Sequence, residues 1–483
     1  VIVMKLWELL HSVPLTGETP ELDMEINSIS YDTRTLEPGA LFAALPGARD
    51  DGARYIREAL DRGAAAVLCR ERPEEDGPWL VTPDPRRALA LLSANWFGRP
   101  AEGLTLVGVT GTNGKTTTAT LLYDLVRAMG YKAGLISTVV YKIDGREVEA
   151  THTTPDSIRL NAMMREMADA GCAYCFMECS SHAIVQERTR GLDFAGGIFS
   201  NITHDHLDYH KTFAEYIRAK KLFFDGLPKG AFALTNADDR NGRVMVQNTA
   251  AAVSAYSLRA MADFRCKIVE MHLDGMLLRI DGQELWVGLL GRFNAYNLLA
   301  VYGAAALLGL NRGEVLRVLS MLHAVSGRFE KIRAANGTTA IVDYAHTPDA
   351  LENVIQTIEE IRTPGQQLIV VCGCGGDRDR TKRPEMAAIA VKYATTAVFT
   401  SDNPRHESPE AILDDMVAGL EPGARYLRIA DRAEAIRTAV MLSRPGDIIL
   451  VAGKGHETYQ IVGDVKHPFD DREEIKKRFA LLN

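Results

Sequence analysis

The sequence predicts an α/β protein whose central part is built on a mostly parallel sheet, and three observations support this fold class. The chain has 483 residues, more than one hydrophobic core usually holds. In residues 101–328, strand-like segments such as LTLVGVTG, AYCFMECSS and GGIFSNIT alternate with helical segments such as TTTATLLYDLVRAMG. The alternation starts again after residue 328 with TTAIVDYA and reaches DIILVAGKGH. Such alternation is typical of parallel sheets covered by helices on both faces.

Three blocks divide the chain, and we expect each to be a domain. Residues 1–100 contain shorter strand and helix segments and end near the turn at Gly98. Residues 101–328 and 329–483 are the two blocks with strand–helix alternation. Within the central block, residues 264–290 alternate apolar and polar side chains, which predicts antiparallel strands at an edge of the sheet.

Composition argues against several classes of function. A formal net charge of −8, with scattered Lys and Arg, argues against a nucleic-acid-binding surface. The longest nearly apolar run, Leu298–Leu310, is too short to cross a bilayer, and the N-terminal VIVMKLWELLHSVPL makes a poor signal peptide. We therefore expect a cytoplasmic protein without membrane or nucleic-acid partners, and we expect a monomer.

The seven cysteines do not show the spacing of a disulfide framework, and their number is odd, as is usual in a reducing compartment. Cys172, Cys175 and Cys179 raise the possibility of a metal site. However, AYCFMECSS is typical of a buried strand, in which cysteine packs as a small apolar residue. We therefore predict a structural role for these cysteines.

A glycine-rich loop, TGTNGKTTT, follows the strand-like segment LTLVGV and precedes a helical pattern, which is the context that a phosphate-binding loop needs. The strict pattern would place its first glycine at Val109. Gly111 and Gly114 allow backbone N–H groups to point inward, and the helix N-terminus adds positive partial charge. Lys115 can reach the β- and γ-phosphates, and Thr116 can ligate Mg²⁺. The sequence therefore predicts an ATP site with Mg²⁺.

Acidic and imidazole groups follow two later strands. Glu178 ends one strand in MECSSH, and NITHDHLDYH contains His204, His206 and His210. The histidines alone leave a zinc site open, although their spacing is irregular. We interpret Glu178 and His206 as groups near a phosphate-bound Mg²⁺, and His204 and His210 as surface or hydrogen-bonded histidines.

Together these segments resemble the Mur ligase family of ATP-dependent peptidoglycan-precursor enzymes. TGTNGKTTT, ECSSH, NITHDHLDYH, GRFNAYN, SGRFE and DYAHTPD occur in the family's order, and the resemblance spans nearly the whole chain. It implies a UDP-sugar-binding domain in 1–100, a central ATP-binding domain in 101–328 and a Rossmann-like, amino-acid-binding domain in 329–483. The absence of glycine at Val109 is normal for the family.

The resemblance also implies the reaction. ATP, a co-substrate, phosphorylates a substrate carboxylate, and an amine then attacks the acyl phosphate. The phosphoryl transfer joins two anions, so the enzyme has to position them and neutralise their charge. The residues implied to act in catalysis are Lys115, Glu178, His206, Lys220 and Arg328. Those implied to hold Mg²⁺ are Thr116, Glu178, His206 and Lys220, the last as a carbamate, which turns a cation into an oxygen ligand. Without the resemblance, the residues around Lys220 would predict a solvent-exposed lysine on a helix.

Three binding groups follow from the resemblance. Residues implied to bind ATP are Gly111, Thr112, Asn113, Gly114, Lys115, Thr116, Thr117, Asn297, Arg328, Asp343 and His346. Residues implied to bind a UDP-N-acetylmuramoyl dipeptide are Tyr31, Thr33, Thr153, Thr154, Ser180, Gln186 and Arg188. Residues implied to bind meso-diaminopimelate are Arg378, Asp402, Asn403, Pro404, Arg405, Gly453 and Glu457.

The choice of amino acid depends on SDNPR. A guanidinium meets a carboxylate with two hydrogen bonds, so Arg405 suits the extra carboxylate that diaminopimelate has and L-lysine lacks. Alternatives remain: a lysine-adding relative, another Mur ligase or folylpolyglutamate synthetase, a nucleotide-binding regulator that no longer ligates, and a zinc protein. By composition alone, DNPR is a strand-to-loop turn.

Overall fold

Three main sheets follow one another along the chain, with four, eleven and six strands. The computed structural model describes residues 3–47, 51–203 and 210–482. The α/β class and the mostly parallel central sheet that the sequence predicts are confirmed. In the part of the chain that the structure describes, no helix is both long enough and apolar enough to span a membrane.

The first sheet is parallel throughout and small. A short ladder between Met4–Lys5 and Glu25–Ile26 precedes it. The sheet contains, in spatial order, strands Ser28–Ser30, Ala40–Ala43, Ala66–Cys69 and Trp79–Val81. The helices of this part are Leu6–Leu9, Ile56–Asp61 and Pro85–Trp96, with 3₁₀ turns at Thr33–Thr35, Gly52–Tyr55 and Pro100–Gly103.

The central sheet places the strand before the glycine-rich loop in its interior, between two parallel neighbours. Its strands, in spatial order, are Arg146–Glu149, Val140–Ile143, Ala133–Ile136, Tyr174–Glu178, Thr105–Thr110, Phe194–Phe199, Phe232–Asn236, Ala252–Ser257, Phe264–His272, Gly275–Ile280 and Gln283–Val287. The antiparallel edge predicted in 264–290 is confirmed. The opposite edge is antiparallel as well, which the sequence analysis did not predict.

Helices cover both faces of the central sheet. Arg292–Leu307 is apolar on nearly all sides because it packs between the helix Lys115–Ala128 and the strands Phe232–Asn236 and Phe264–His272. The described helices of this part are Lys115–Ala128, Ser157–Asp169, Ser181–Val185, Phe213–Asp225, Gly242–Met245, Arg292–Leu307 and Arg312–Leu319.

The third sheet is parallel except for its first strand. Its strands, in spatial order, are Glu330–Arg333, Thr339–Asp343, Ile448–Ala452, Leu368–Cys372, Thr396–Phe399 and Tyr426–Arg428, and a separate hairpin pairs Tyr459–Val462 with Val465–Pro468. Its helices are Pro348–Ile361, Lys382–Tyr393, Pro409–Val417, Arg432–Leu442 and Asp471–Phe479.

The cysteines in AYCFMECSS lie where the sequence analysis placed them, in or beside a buried strand. Tyr174–Glu178 is a strand of the central sheet, and Cys172, Cys175 and Cys179 are buried. Burial raises the pKa of all three thiols above its usual value. They therefore remain neutral and pack with Met163, Met167 and other apolar residues of the same cluster.

Candidate active site

The glycine-rich loop, residues 111–114, joins strand Thr105–Thr110 to the N-terminus of helix Lys115–Ala128. Gly111 and Gly114 have φ angles of 148° and 87°, which side chains other than hydrogen rarely tolerate. A Cβ at Gly111 would collide with Ser200 Oγ, and one at Gly114 would collide with Asn297 Oδ1. The loop therefore needs glycine at both positions, and it leads directly into a helix N-terminus, whose first N–H groups lack acceptors within the helix.

Two lysines meet at this loop. Lys115 Nζ donates to the carbonyl oxygens of Gly111 and Thr112, at 3.0 and 2.8 Å. Lys220 Nζ donates to the same Gly111 oxygen at 2.7 Å and lies 4.7 Å from the ring centre of Tyr216. Lys220 is only 1% exposed, so it is not the solvated helix lysine that its local sequence suggests. The neighbouring Lys221 instead pairs with an aspartate four residues along the helix.

Glu178 lies beside Thr116 in a buried cluster of oxygen atoms. Thr116 Oγ1 donates to Glu178 Oε1 at 2.8 Å. Thr138 donates to both carboxylate oxygens, from its backbone N–H at 2.7 Å and from its hydroxyl at 3.2 Å. Arg328 Nη2 donates to Thr116 Oγ1 at 3.2 Å. The sequence analysis missed Thr138, since no motif marks it.

The structure describes only some of the residues that are predicted to bind a metal ion. His206 falls in residues 204–209, outside the described residues, so its placement relative to Glu178 is not described. Within 3–47, 51–203 and 210–482, no three His, Cys, Asp or Glu side chains come together as a metal-binding group. Thr116 and Glu178 remain as adjacent oxygen donors of the kind that Mg²⁺ prefers.

The strand Thr339–Asp343 brings a second set of predicted residues close to the segment around residue 328. Asp343 accepts hydrogen bonds from the backbone N–H groups of Phe329 at 2.7 Å and Ala345 at 2.8 Å. Burial raises the pKa of this carboxyl above its usual value, and the nearby Arg328 opposes that shift. The Arg328 guanidinium lies 4.6 Å from the ring centre of Tyr344. His346 Nδ1 lies 2.8 Å from the Tyr344 carbonyl oxygen.

The remaining nucleotide candidates surround the loop. Asn297 and Thr117 are buried, and Asn297 Oδ1 accepts from Thr118 Oγ1 at 3.4 Å. Asn113 Nδ2 donates to Asp349 Oδ2 at 3.1 Å, which connects the loop to the helix Pro348–Ile361 of the third sheet. The sequence analysis did not identify Asp349, although DYAHTPD includes it.

The candidates for the dipeptide form one hydrogen-bonded group beside Glu178. The hydroxyl oxygens of Thr153 and Thr138 lie 3.0 Å apart, within hydrogen-bond distance. Thr154 Oγ1 donates to the Glu178 carbonyl oxygen at 2.8 Å and accepts from the Ser180 N–H at 3.2 Å. Further bonds run from Arg188 Nη1 to the Thr154 carbonyl oxygen at 2.7 Å, and from Arg188 Nη2 to Gln186 Oε1 at 2.7 Å.

Two further candidates lie in the first sheet's loops. Tyr31 is exposed, with its phenol near Asp156 of the central part; partial burial and Asp156 raise the pKa of that phenol. Thr33 is buried at the start of a 3₁₀ turn that the Asp32 side chain caps. Tyr31 is therefore accessible to a ligand, whereas the Thr33 side chain packs inside.

The amino-acid candidates are held together by a buried lysine that the sequence analysis missed. Lys454 Nζ donates to Asn403 Oδ1 at 3.0 Å and to Glu457 Oε2 at 2.9 Å. Asn403 Nδ2 also donates to Glu457 Oε2, at 2.9 Å. Asn403 Oδ1 in turn accepts from the Ile461 N–H at 2.9 Å. Lys454 thus fixes the orientation of both predicted binding side chains.

The two predicted arginines lie close together. Arg405 Nη1 donates to the Gly376 carbonyl oxygen at 2.9 Å, next to Arg378. Burial and the Arg378 guanidinium lower the pKa of Arg405 below its usual value. Two neighbouring cations favour an anion between them, because its charge offsets their repulsion.

One cleft, of about 1390 Å³, lies between the central and third sheets and is lined by some of these groups. It extends from Thr153 on the central side to the arginine pair on the third. Thr138 connects it to the Thr116–Glu178 cluster, since its hydroxyl contacts both Thr153 and Glu178. The predicted residues that line this cleft are Thr153, His346, Arg378, Asp402, Asn403, Arg405, Gly453 and Glu457; Pro404 is buried beside it.

This combination defines the class of protein. A glycine-rich loop at a helix N-terminus inside a mostly parallel sheet is typical of nucleotide-binding α/β proteins, and a charged cleft next to it is typical of enzymes with a second substrate. Three family models match the sequence: "Mur ligase family, catalytic domain" over residues 25–96, "Mur ligase middle domain" over 109–305 and "Mur ligase, glutamate ligase domain" over 327–455. The chain belongs to the Mur ligase family.

Individual proteins agree with this assignment. A Cytophaga hutchinsonii protein named UDP-N-acetylmuramoyl-L-alanyl-D-glutamate–2,6-diaminopimelate ligase is 52% identical over 99% of this chain and 100% of its own length. A solved structure of a protein with the same name is 31% identical, has a TM-score of 0.72 and covers 100% of this chain and 99% of its own. A ligase of the family from Thermotoga maritima, solved in complex with ADP, shares the fold at 17% identity with a TM-score of 0.62, covering 94% of this chain and 97% of its own.

Proposed function

We propose that the protein is an ATP-dependent, ADP-forming ligase that joins meso-2,6-diaminopimelate to UDP-N-acetylmuramoyl-L-alanyl-D-glutamate in peptidoglycan precursor synthesis. The observation that carries the proposal is the shared cleft, which is lined both by Thr153, from a loop after the edge of the central sheet, and by Arg378 and Arg405, from loops of the third. The 52% identity to a full-length relative of that name supports the choice of substrates.

The reaction proceeds in two steps. The dipeptide carboxylate attacks the γ-phosphorus of ATP, forming an acyl phosphate and releasing ADP. The diaminopimelate amine then attacks the acyl carbon, the carbon–oxygen bond to phosphate breaks, and the amine loses a proton as the amide forms. A carboxylate is a poor electrophile, and phosphorylation gives it a good leaving group. Closure of the cleft would exclude water from this intermediate.

The chain's own residues supply positioning and charge for the first step. The backbone N–H groups at the N-terminus of helix Lys115–Ala128 would hold the nucleotide phosphates, and the Lys115 side chain would exchange its loop carbonyls for phosphate oxygens. Arg328 already contacts Thr116 and would approach the same phosphates. We assign the nucleotide's remaining contacts to Thr112, Asn113, Thr117, Asn297, Asp343 and His346.

The residues around Glu178 fit Mg²⁺. Thr116 and Glu178 present oxygen atoms 2.8 Å apart in a buried place, and Lys220 would add two more oxygens as a carbamate near Gly111. His206 is the fourth proposed ligand. When bound, the ion would neutralise phosphate charge. These assignments rest on the buried positions of Thr116, Glu178 and Lys220.

Amino-acid selection would use the third sheet. The Arg378–Arg405 pair would take the carboxylate at the far end of diaminopimelate, and Glu457, oriented by Lys454, would take the neighbouring ammonium. Asp402, Asn403, Pro404 and Gly453 would shape the surrounding wall. The dipeptide would lie against Tyr31, Thr153, Thr154, Ser180, Gln186 and Arg188, whereas the buried Thr33 side chain would not contact it.

Domain limits near residues 100 and 328 are part of the proposal, because the three sheets lie within 28–81, 105–287 and 330–452. We propose a monomer, because one chain supplies both walls of the cleft. We also propose a cytoplasmic location, because ATP and UDP-linked precursors are found there. Light scattering would test the monomer, and a dimer that shares the cleft would contradict it.

Amino-acid-dependent phosphate release tests the proposed reaction. The assay supplies the UDP-linked dipeptide, ATP and Mg²⁺, with meso-diaminopimelate, L-lysine or no amino acid. We expect release with diaminopimelate alone and its loss in Arg405→Ala. Release with L-lysine instead would keep the ligase and reject the role of Arg405. No release with either would favour a nucleotide-binding regulator.

A further inference from the structure

The residues that follow Arg405 support the loop that carries Arg378. Arg405 is followed by His406 and Glu407, and both side chains turn back to residues 375–378, named here the GGDR loop. The Asp377 N–H donates to Glu407 Oε1 at 2.6 Å. Arg405 itself donates to Gly376 O from its side chain. The two predicted arginines therefore belong to two loops that hold each other.

A third segment, the hairpin of residues 459–468, completes the contact. The Arg405 N–H donates to the Ile461 carbonyl oxygen at 3.0 Å, and the Gly463 N–H donates to the Arg405 carbonyl oxygen at 2.8 Å. The backbone of Arg405 is thus paired with the hairpin while its side chain reaches the GGDR loop. Small movements of either partner would shift the guanidinium.

His406 bridges the GGDR loop and the hairpin. Its Nδ1 lies 2.8 Å from Asp377 Oδ2, and its Nε2 lies 3.1 Å from Asp464 Oδ1. Carboxylates accept but do not donate hydrogen bonds, so both contacts are satisfied together only when both ring nitrogens carry a proton. The geometry therefore selects the imidazolium cation.

The backbone of both loops depends on such support. Asp377 and Arg405 have φ angles of 53° and 51°, in the left-handed region that non-glycine residues adopt at a cost. Glu407, which holds Asp377, is itself anchored by Arg383 at 2.9 Å and Arg380 at 2.8 Å. These arginines lower the pKa of Glu407 to about 2, so it stays charged at neutral pH. Among the side-chain types of this network, imidazole is the one whose usual pKa lies near neutrality.

We propose that His406 is a positioning residue for the amino-acid carboxylate: as an imidazolium it draws the GGDR loop and the hairpin together around Arg405, so that the site weakens when His406 loses its proton. This deepens the proposed function and rests on it. His406 touches neither the cleft nor the reacting atoms and acts through the placement of Arg378 and Arg405.

The charges that face His406 set the direction of the pH effect. Asp377 faces it from the GGDR loop, Asp464 from the hairpin, and Arg405 and Glu407 flank it in its own segment. Asp377 and Asp464 raise the pKa of His406 above its usual value. The cation is therefore present below that raised pKa and is lost as the pH rises through it, so affinity for the amino acid falls in the same range.

The test compares KM for meso-diaminopimelate in wild type and His406→Gln from about pH 6 to about pH 9. Taking the ratio at each pH cancels the titration of the substrate's own amines. We expect a ratio of about three to five at low pH, as befits exposed ion pairs, falling to one at high pH, with KM for ATP unchanged. His406→Arg, which keeps a cation, should hold a low KM across the range. His467→Gln, on the same hairpin and exposed, should match wild type.

Two results would overturn the inference. One is a KM ratio of one at every pH while phosphate release persists. The other is an H406R variant that behaves like H406Q. If no amino acid supports phosphate release in wild type, the proposed function itself fails, and the inference falls with it.

Discussion

Asn113 of the glycine-rich loop donates a hydrogen bond to Asp349 across 3.1 Å, although 236 residues separate them in the chain. This bond joins the proposed ATP site in the central sheet to the first helix of the third sheet. Burial raises the pKa of the Asp349 carboxyl, so loss of its partner would be costly. The contact offers a direct way for nucleotide and amino-acid sites to influence each other.

Replacing Asp349 should weaken nucleotide binding. In Asp349→Ala, Asn113 loses its partner and the loop loses its connection to the third sheet, so KM for ATP should rise about tenfold, as expected for one buried hydrogen bond to a charged group. Glu360→Ala, exposed on the same helix, is the matched control. Equal KM values for the two variants would show that the contact has no role in binding.

Lys220 should be required in its modified form. Lys220→Arg keeps the positive charge but cannot form a carbamate, and it should lower kcat about 100-fold or more, as loss of a metal ligand does. Lys221→Arg, one residue along and paired with Asp225, should retain activity. Carbon-13 NMR with labelled bicarbonate should show a carbamate in wild type and not in K220R. Full activity of K220R would reject the carbamate.

A buried ion pair should hold the amino-acid loops in place. Arg432 binds Asp471 at 2.7 Å, and both side chains are inaccessible to solvent. Its guanidinium also donates to the carbonyl oxygens of Ser401 and Ala452, which precede the Asp402 and Gly453 segments. Arg432→Met leaves an unpaired buried carboxylate and should lower the free energy of unfolding by about 3 kcal/mol.

Urea denaturation would measure the effect of Arg432→Met. The matched control is Arg437→Met, on the same helix but half exposed, which should change stability by less than about 0.5 kcal/mol. If both variants unfold at the same urea concentration, the buried pair contributes nothing to the stability of this part of the chain.

His456 should make the protein less stable in acid. Burial, assisted by Arg328, Arg472 and Lys454, lowers the pKa of His456 to about 3 in the folded state. The unfolded chain binds this proton near pH 6.5, so stability is lost as the pH falls from about 6.5 toward 3. The loss should be roughly 1–2 kcal/mol at pH 5.

His456→Phe removes the titrating group and should flatten the pH dependence. Thermal unfolding of both proteins at pH 7.5 and pH 5 would measure the difference, with the exposed His272→Phe as a control. If wild type and H456F lose the same amount of stability between pH 7.5 and pH 5, His456 is not the group responsible for the acid sensitivity.

Much of the fold was predictable because it depends on local patterns. Strand–helix alternation identified the parallel sheets, and the apolar–polar alternation in 264–290 identified one antiparallel edge. The other edge, Val140–Ile143 with Arg146–Glu149, was missed because each of its two strands has only four residues. Local periodicity is weak over four residues.

The candidate site was predictable where motifs mark it and not where it depends on distant partners. The motif TGTNGKTTT identified the glycine-rich loop, and the motif DNPR identified Arg405. Thr138 and Asp349 act through contacts with residues 40 and 236 positions away, so nothing in their own neighbourhood indicates a role. Lys454 lies within GKGHE, but only the structure shows that it is buried between Asn403 and Glu457.

The measurement that tests the central claim most directly is a competition between amino acids. The enzyme would receive the UDP-linked dipeptide, ATP and Mg²⁺ with equal concentrations of meso-diaminopimelate and L-lysine, and mass spectrometry would identify the product. The cleft with its Arg378–Arg405 pair predicts a product containing diaminopimelate alone, and a loss of that product in Arg405→Ala. A lysine-containing product, or unchanged product formation in Arg405→Ala, would contradict the account.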